Sequence, residues 1–401
     1  MSIVFNAIGM MGENVVLGWL TLELTNSPFM VGAALGMRAL PLFFVGVPAG
    51  ALADQFPRHR LLLITGVGQA LTATTLGVSV LTGIATLAHV MLLTLAAGVL
   101  RGIEHAARQS YAHDVVGAPA LVRGLALLGV ALRIGWLIGS IATGYAIAHW
   151  GSGVAYLVVA LGFLGGGMVL LPAAVRRPAT STHGVGAQGP VVLAGSRAMG
   201  GSVWRGTLEF LVTVRRDRTV LVLMVLTAGA EVLGFAHQVL LPSLARDVLH
   251  TGPEGLGVLS AARAVGGILG LVVASGRGVA SGGAGFLAVL GTFGASLIAL
   301  GGAPYVVGFV GVVLVVTVVN ACGALADLLA QSLLQLSVPA GQRGRAGGAW
   351  VVAIGLAPIG QFQLGALASL FGVSAALGTS GLALVLLAAT TALLMPSMKR
   401  L

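Results

Sequence analysis

The sequence predicts an all-α polytopic membrane protein of twelve transmembrane helices. Three observations carry this reading. Charged residues make up 8% of the 401 positions, against about a quarter in an ordinary soluble domain. Apolar residues make up 57% and the mean hydropathy is +1.03. The apolar text also breaks, at clusters of charge, Gly and Pro, into twelve stretches of about 20 residues, the length that spans a bilayer. With 21 Lys+Arg and 11 Asp+Glu, the chain cannot dress the surface of a soluble protein of this size in charge. The 62 glycines suit helices packed closely in lipid.

In chain order the first six spans fall near 3–24, 28–52, 61–83, 87–109, 124–148 and 153–174. The first is the least hydrophobic. No basic segment precedes it and no small-residue cleavage site follows, so it is expected to be a retained helix rather than a signal peptide. Residues 175–218 form the longest loop. Its first half is rich in Gly, Ala, Pro, Ser and Thr and reads as flexible linker. Its second half reads as a surface helix, with Trp204, Leu208, Phe210 and Leu211 toward lipid and Arg205, Glu209, Arg215 and Arg216 toward water. The plain role is a spacer lying on the membrane; regulation or partner binding is the alternative. The last six spans fall near 219–246, 255–275, 284–301, 304–336, 346–370 and 373–395. The domain reading is therefore an N-terminal six-helix bundle (1–174), a linker (175–218) and a C-terminal six-helix bundle (219–401).

The arginines set the orientation. With the N-terminus cytoplasmic, Arg246 is alone among the loop arginines in facing outward, and every other loop Arg, with Lys399, faces inward. Both termini and the linker are then cytoplasmic. The same placement explains the net charge of +10 by attraction to the anionic leaflet, so no nucleic-acid partner is expected.

Several chemistries are excluded. Lys399 is the sole lysine and Arg400 follows it, so there is no Walker A loop and no intramembrane Schiff base. Cys322 is the sole cysteine, which rules out an internal disulfide and a cysteine metal cluster. No H-E-x-x-H or G-x-S-x-G occurs. The expectation is no enzyme, no cofactor and no metal.

The halves read as repeats. Gly32 and Arg38-Ala39-Leu40 in the second span match Gly257 and Arg263-Ala264-Val265 in the eighth. Glu13 with Gly18 beyond it is set against Glu231 with Gly234. Duplication of this kind builds a transport pathway at the repeat interface.

Between spans two and three runs Gly50-Ala51-Leu52-Ala53-Asp54-Gln55-Phe56-Pro57-Arg58-His59-Arg60. It resembles the G-x-L-A-D-x-x-G-R-[KR] loop motif of the major facilitator superfamily. Arg38-Ala39-Leu40-Pro41, Ala107-Arg108-Gln109-Ser110 and Ala357-Pro358-Ile359-Gly360 resemble the branch of siderophore, macrolide and multidrug exporters. The resemblance implies two six-helix bundles around a central cavity, and a conformational latch made by Gly50, Asp54, Arg58 and Arg60. Gln55 stands where a basic residue is usual and Pro57 where a glycine is usual. Drug/proton antiporters of the branch often carry G-P-x-x-G-G in the fifth span; here it is Gly139-Ser140-Ile141-Ala142-Thr143-Gly144, which keeps small residues for close packing but lacks the proline.

Ionisable side chains within the spans are Glu13, Glu23, Arg38, Arg101, Glu104, Arg133, Glu231, Arg263 and Asp327. Each is costly at mid-bilayer and should face protein or a water-filled cavity. Spans three, six, nine and twelve have none, and in the resembled fold those are the outer helices. A desolvated carboxylic acid in a cavity can load and release a proton, so Glu13, Glu231, Glu104 and Asp327 are the proton-coupling candidates; the competing reading is a carboxylate neutralised by arginine for packing. Arg38, Arg101, Arg133 and Arg263 are charge partners, with Arg101 and Glu104 three apart on one helix face. His237, Gln361 and Gln363 are further cavity candidates. Glu23, near a helix end, reads as a solvated mouth residue.

The function expected is secondary active transport by a monomer in a bacterial inner membrane: proton-driven efflux of a small apolar or amphipathic, drug- or siderophore-like molecule. Its partners would be that substrate, protons and the bilayer. Uptake or facilitated diffusion is the alternative. A non-transport receptor or intramembrane enzyme is the third reading.

Overall fold

The computed structural model describes residues 1–116, 121–169, 217–276, 282–338, 350 and 352–395. The linker reading falls outside these residues apart from Asp217 and Arg218. Among the described residues every regular element is helical and none is a strand. Ten helical stretches are long and apolar enough to cross a membrane.

The N-terminal part contains α1 (Ser2–Thr25), α2 (Pro28–Gln55), α3 (Arg58–Leu81), α4 (Leu87–Val116) and α5 (Leu121–Met168). The spans expected at 124–148 and 153–174 are the two arms of α5, joined directly at Gly151 without an intervening loop. Its apolar stretch has 41 residues, roughly 60 Å if straight and about twice the hydrocarbon thickness. It is not straight. Gly151 breaks it with φ 80° and ψ 171°, a conformation open to glycine and strained for other residues. Gly139 on one arm packs on Ile8 and Gly162 on the other packs on Gly9. Both arms therefore pass the same level of α1, and the chain doubles back at Gly151.

The C-terminal part contains α6 (Arg218–Val248), α7 (Gly252–Gly276), α8 (Gly283–Gly302), α9 (Gly308–Leu336), α10 (Ala357–Phe371) and α11 (Val373–Leu394). Asp217 caps α6, its carboxylate accepting from the Thr219 and Val220 backbone N–H groups at 2.9 and 3.3 Å. The span read as a simple helix at 219–246 is irregular. It is α-helical to Gly229, widens into a π-turn over Ala230–Gly234, tightens to 3-10 over Phe235–Leu240 and widens again over Leu244–Val248. Pro242 removes one backbone donor and crowds the turn before it. The Gly234 carbonyl, freed from the regular ladder, is taken by the His237 ring at 2.8 Å. Such π-turns often mark functional positions, and this one carries Glu231.

The two parts meet along α1–α6, α2–α10 and α5–α7. At one end, where α1 turns into α2 and α6 into α7, they are sealed. Arg246 of α6 donates to the Leu22 carbonyl and to Asn26 Oδ1, each at 3.0 Å. The Phe29 N–H donates to Ser369 Oγ at 2.9 Å, and His149 lies 3.7 Å from Glu254. Below these bonds, a Cβ on Gly144 would fall 2.7 Å from the Gly257 Cα, so α5 and α7 touch through bare backbone. The small residues of the fifth span are thus used for packing, Gly135 and Gly139 against α1 and Gly144 against α7.

Candidate functional site

The acids expected inside the bilayer fall into two environments. In the N-terminal part the two buried ones, Glu13 and Glu104, are paired with arginine. Glu13 Oε2 accepts from Arg38 Nη2 and from Arg101 Nη2, both at 2.8 Å. Arg38 also donates to Asn14 Oδ1 at 2.7 Å and to the Met10 carbonyl at 2.9 Å. Glu13 and Arg38 are both buried. Each charge is paid back by the other and by hydrogen bonds, the condition under which a buried pair is tolerated. Glu104 is buried too; it accepts from Gln69 Nε2 at 2.8 Å and pairs with Arg108 one turn on. Arg101 and Glu104, expected as a pair on one face, do not bond each other: Arg101 reaches across to α1 instead.

The C-terminal part differs. Glu231, half-buried on the π-turn, has no hydrogen bond or ion pair among the described residues. Asp327 accepts from Trp350 Nε1 at 3.2 Å and lies within electrostatic range of Glu231 and of Arg133. Arg133, on α5, rests against Gly267 of α7, and its Cζ lies 5.9 Å from the centre of the Trp136 ring. Arg263 donates to Gln238 Oε1 at 2.6 Å, and its Nε is buried without a partner.

His237 is buried, with Nδ1 on the Gly234 carbonyl and Nε2 3.3 Å from Asn320 Nδ2. These partners place its proton on Nδ1 and let Nε2 accept. Gln361 is buried with Oε1 unpartnered, and Gln363 is exposed. Glu23 is exposed, held by Trp19 Nε1 at 2.6 Å and Ser152 Oγ at 2.7 Å. Of the expected latch, Gly50 and Asp54 lie in α2 and Arg58 opens α3; their side chains fall outside the described ones, and Arg60 is exposed. No group of three or more metal-ligating side chains occurs among the described residues.

Sequence reading missed Asn14, Gln69 and Gln238, because an amide carries no motif, and it read Arg246 only as a marker of orientation. A signal for Gln238 existed. Arg38 bonds the residue 25 positions before it, Glu13, and Arg263 bonds the residue 25 positions before it, Gln238. The residue that faces Arg263 as Glu13 faces Arg38 is Gln238, not Glu231.

The Major Facilitator Superfamily model matches residues 1–360. The chain belongs to that superfamily. No curated protein matches the sequence. Among solved structures, a peptide transporter POT in complex with alafosfalin superposes with a TM-score of 0.77 at 15% identity, covering 100% of this chain and 93% of that one. The nucleoside transporter NupG superposes with a TM-score of 0.70 at 14% identity, covering 98% of each chain. A bacterial homologue of the human lysosomal transporter Spinster, inward-facing and occupied, gives 0.71 at 13% identity, over 98% and 94%. At these identities the likeness speaks for the fold alone. Membership of the Major Facilitator Superfamily makes this a multi-pass membrane transporter rather than an enzyme.

Proposed function

We propose that this superfamily member is a proton-coupled secondary transporter that exports a small apolar or amphipathic molecule by alternating access. The observation that carries the reading is the seal. The two halves close on each other at one end through Arg246, Phe29–Ser369 and the Gly144–Gly257 contact. In the arginine-based orientation this end faces outward, so the state described is closed to the outside. The protein crosses a bacterial inner membrane twelve times, as a monomer, with α2 and both arms of α5 counted as separate crossings. The segment from Gly50 through Asp54 to Arg58 and Arg60 acts as its cytoplasmic latch.

A shift of 225 positions supports the two-repeat reading. It relates Gly32 to Gly257, Arg38 to Arg263, Glu13 to Gln238, Gly98 to Gly323 and Gly135 to Gly360. It also preserves contacts: Gly135 packs on Ala7 and Gly360 on Val232, the same pair shifted by 225.

Coupling is assigned to Glu231, with Asp327 beside it, because Glu13 and Glu104 are held by arginines and Glu231 is not. In proteoliposomes, Glu231→Gln is expected to abolish accumulation driven by a pH gradient while substrate exchange at equal concentrations persists. Undiminished pH-driven accumulation by both Glu231→Gln and Asp327→Asn would remove proton coupling through these acids. The orientation has its own test: a reporter fused after Arg197 should prove cytoplasmic, and a periplasmic signal would reverse the topology.

A further inference from the structure

We propose that the space bounded by Arg263, Gln238, Ser260 and Asn14 binds an organic anion, an apolar body carrying a carboxylate or similar acidic group. The inference rests on the transport reading and narrows its substrate to amphipathic anions. The first ground is charge. Arg263 has a neutral amide for its partner, its Nε is buried and unpaired like those of Arg38, Arg101 and Arg133, and among the described residues it makes no ion pair with a carboxylate. Its counterpart Arg38 has Glu13, Asn14 and the Met10 carbonyl. A half-buried guanidinium left without a counter-charge is costly in a membrane interior, and an anion supplied by a ligand offsets that cost.

The second ground is place. Arg263, Gln238, Ser260 and Asn14 line one cavity, together with apolar walls that include Met11 and Leu256. The lining comes from α1, α2, α6 and α7, so both halves touch whatever binds. As it stands the cavity measures about 20 Å³, room for about one water. The ligand body therefore enters when the halves part, and Arg263 holds its acidic head by charge-assisted hydrogen bonds. A larger space of about 290 Å³ between α8 and α11 is lined by Ala, Gly, Leu and Val alone and offers no polar anchor.

The test uses the full-length protein in lipid nanodiscs with radiolabelled 1-naphthoate as probe. Saturable binding is expected, displaced by unlabelled 1-naphthoate and not by the neutral alcohol 1-naphthalenemethanol or the cation 1-naphthylmethylammonium. Gln238→Glu places a carboxylate opposite Arg263, as Glu13 stands opposite Arg38, and should weaken binding by about tenfold or more without lowering the melting temperature. Arg263→Gln should weaken it as much. No saturable binding, equal displacement by the alcohol or the cation, or full affinity in both variants overturns the site. Binding as expected without solute movement under a pH gradient defeats the transport reading and leaves the site standing; gradient-driven transport of another solute without naphthoate binding defeats the site alone.

Discussion

Replacing Glu13 by glutamine is expected to destabilise the protein severely. The substitution keeps the shape of the side chain and removes the charge shared by Arg38 and Arg101, each 2.8 Å away. Glu13 and Arg38 have side chains only 7% exposed, so water cannot take over. Removing one member of a buried ionic set leaves its partners uncompensated, at about 3–5 kcal/mol. In detergent the variant should melt many degrees below the parent and yield a much smaller monodisperse fraction. Adding Arg101→Gln removes one of the two cations left without a counter-charge, while Arg38 keeps Asn14 and the Met10 carbonyl; the double variant should recover part of the loss. Glu231→Gln, which disturbs no ion pair, should melt close to the parent. A Glu13→Gln protein with parental melting but no pH-driven transport would move the coupling role from Glu231 to Glu13.

The second large effect is expected at Gly144. A leucine there meets the Gly257 Cα and the Pro253 carbonyl, which a Cβ would already approach to 2.7 and 2.9 Å. These are backbone atoms and cannot rotate away. Overpacking of this kind costs about 1–3 kcal/mol, and the cheapest relief is to part α5 from α7, because each helix remains whole. Gly144→Leu should therefore fold and insert but fail to close the end sealed by Arg246, cutting transport to near background. Spin labels at Thr82→Cys and Tyr305→Cys, in a Cys322→Ser background, should report a longer distance than in the parent. Parental distances with normal transport would show that this contact does not gate the protein.

The π-turn under Glu231 and the paired network around Glu13 point to a division of labour between the halves. The N-terminal acids hold helices together: Glu13 joins α1, α2 and α4, and Glu104 joins α3 and α4. Among the described residues of the C-terminal half, Glu231 has no ion pair with a cation and Arg263 has none with a carboxylate. Unpaired groups of opposite sign on one irregular helix and its neighbour are suited to a proton and an anionic solute respectively.

Composition and hydropathy alone determined that the chain is helical and membrane-embedded, because the bilayer permits few alternatives to an apolar helix of bilayer length. The loop motif from Gly50 to Arg60 pointed to the superfamily, and the Arg38/Arg263 match pointed to duplication. The sequence also picked out the inward ionisable residues, because a charge inside an apolar run has a price that must be explained by a partner or a cavity. Which partner each one has was decided by tertiary structure. Glu13 and Glu231 look alike in the text, yet Glu13 is clasped by two arginines from different helices and Glu231 stands on a π-turn with none. Residues separated by 25 or 88 positions meet only once the helices pack, and hydropathy does not encode the rotation of one helix against another. The bend of α6 was likewise settled in three dimensions, where Pro242 and the freed Gly234 carbonyl compete with the regular ladder, whereas the reversal at Gly151 falls in the break already read between the fifth and sixth spans.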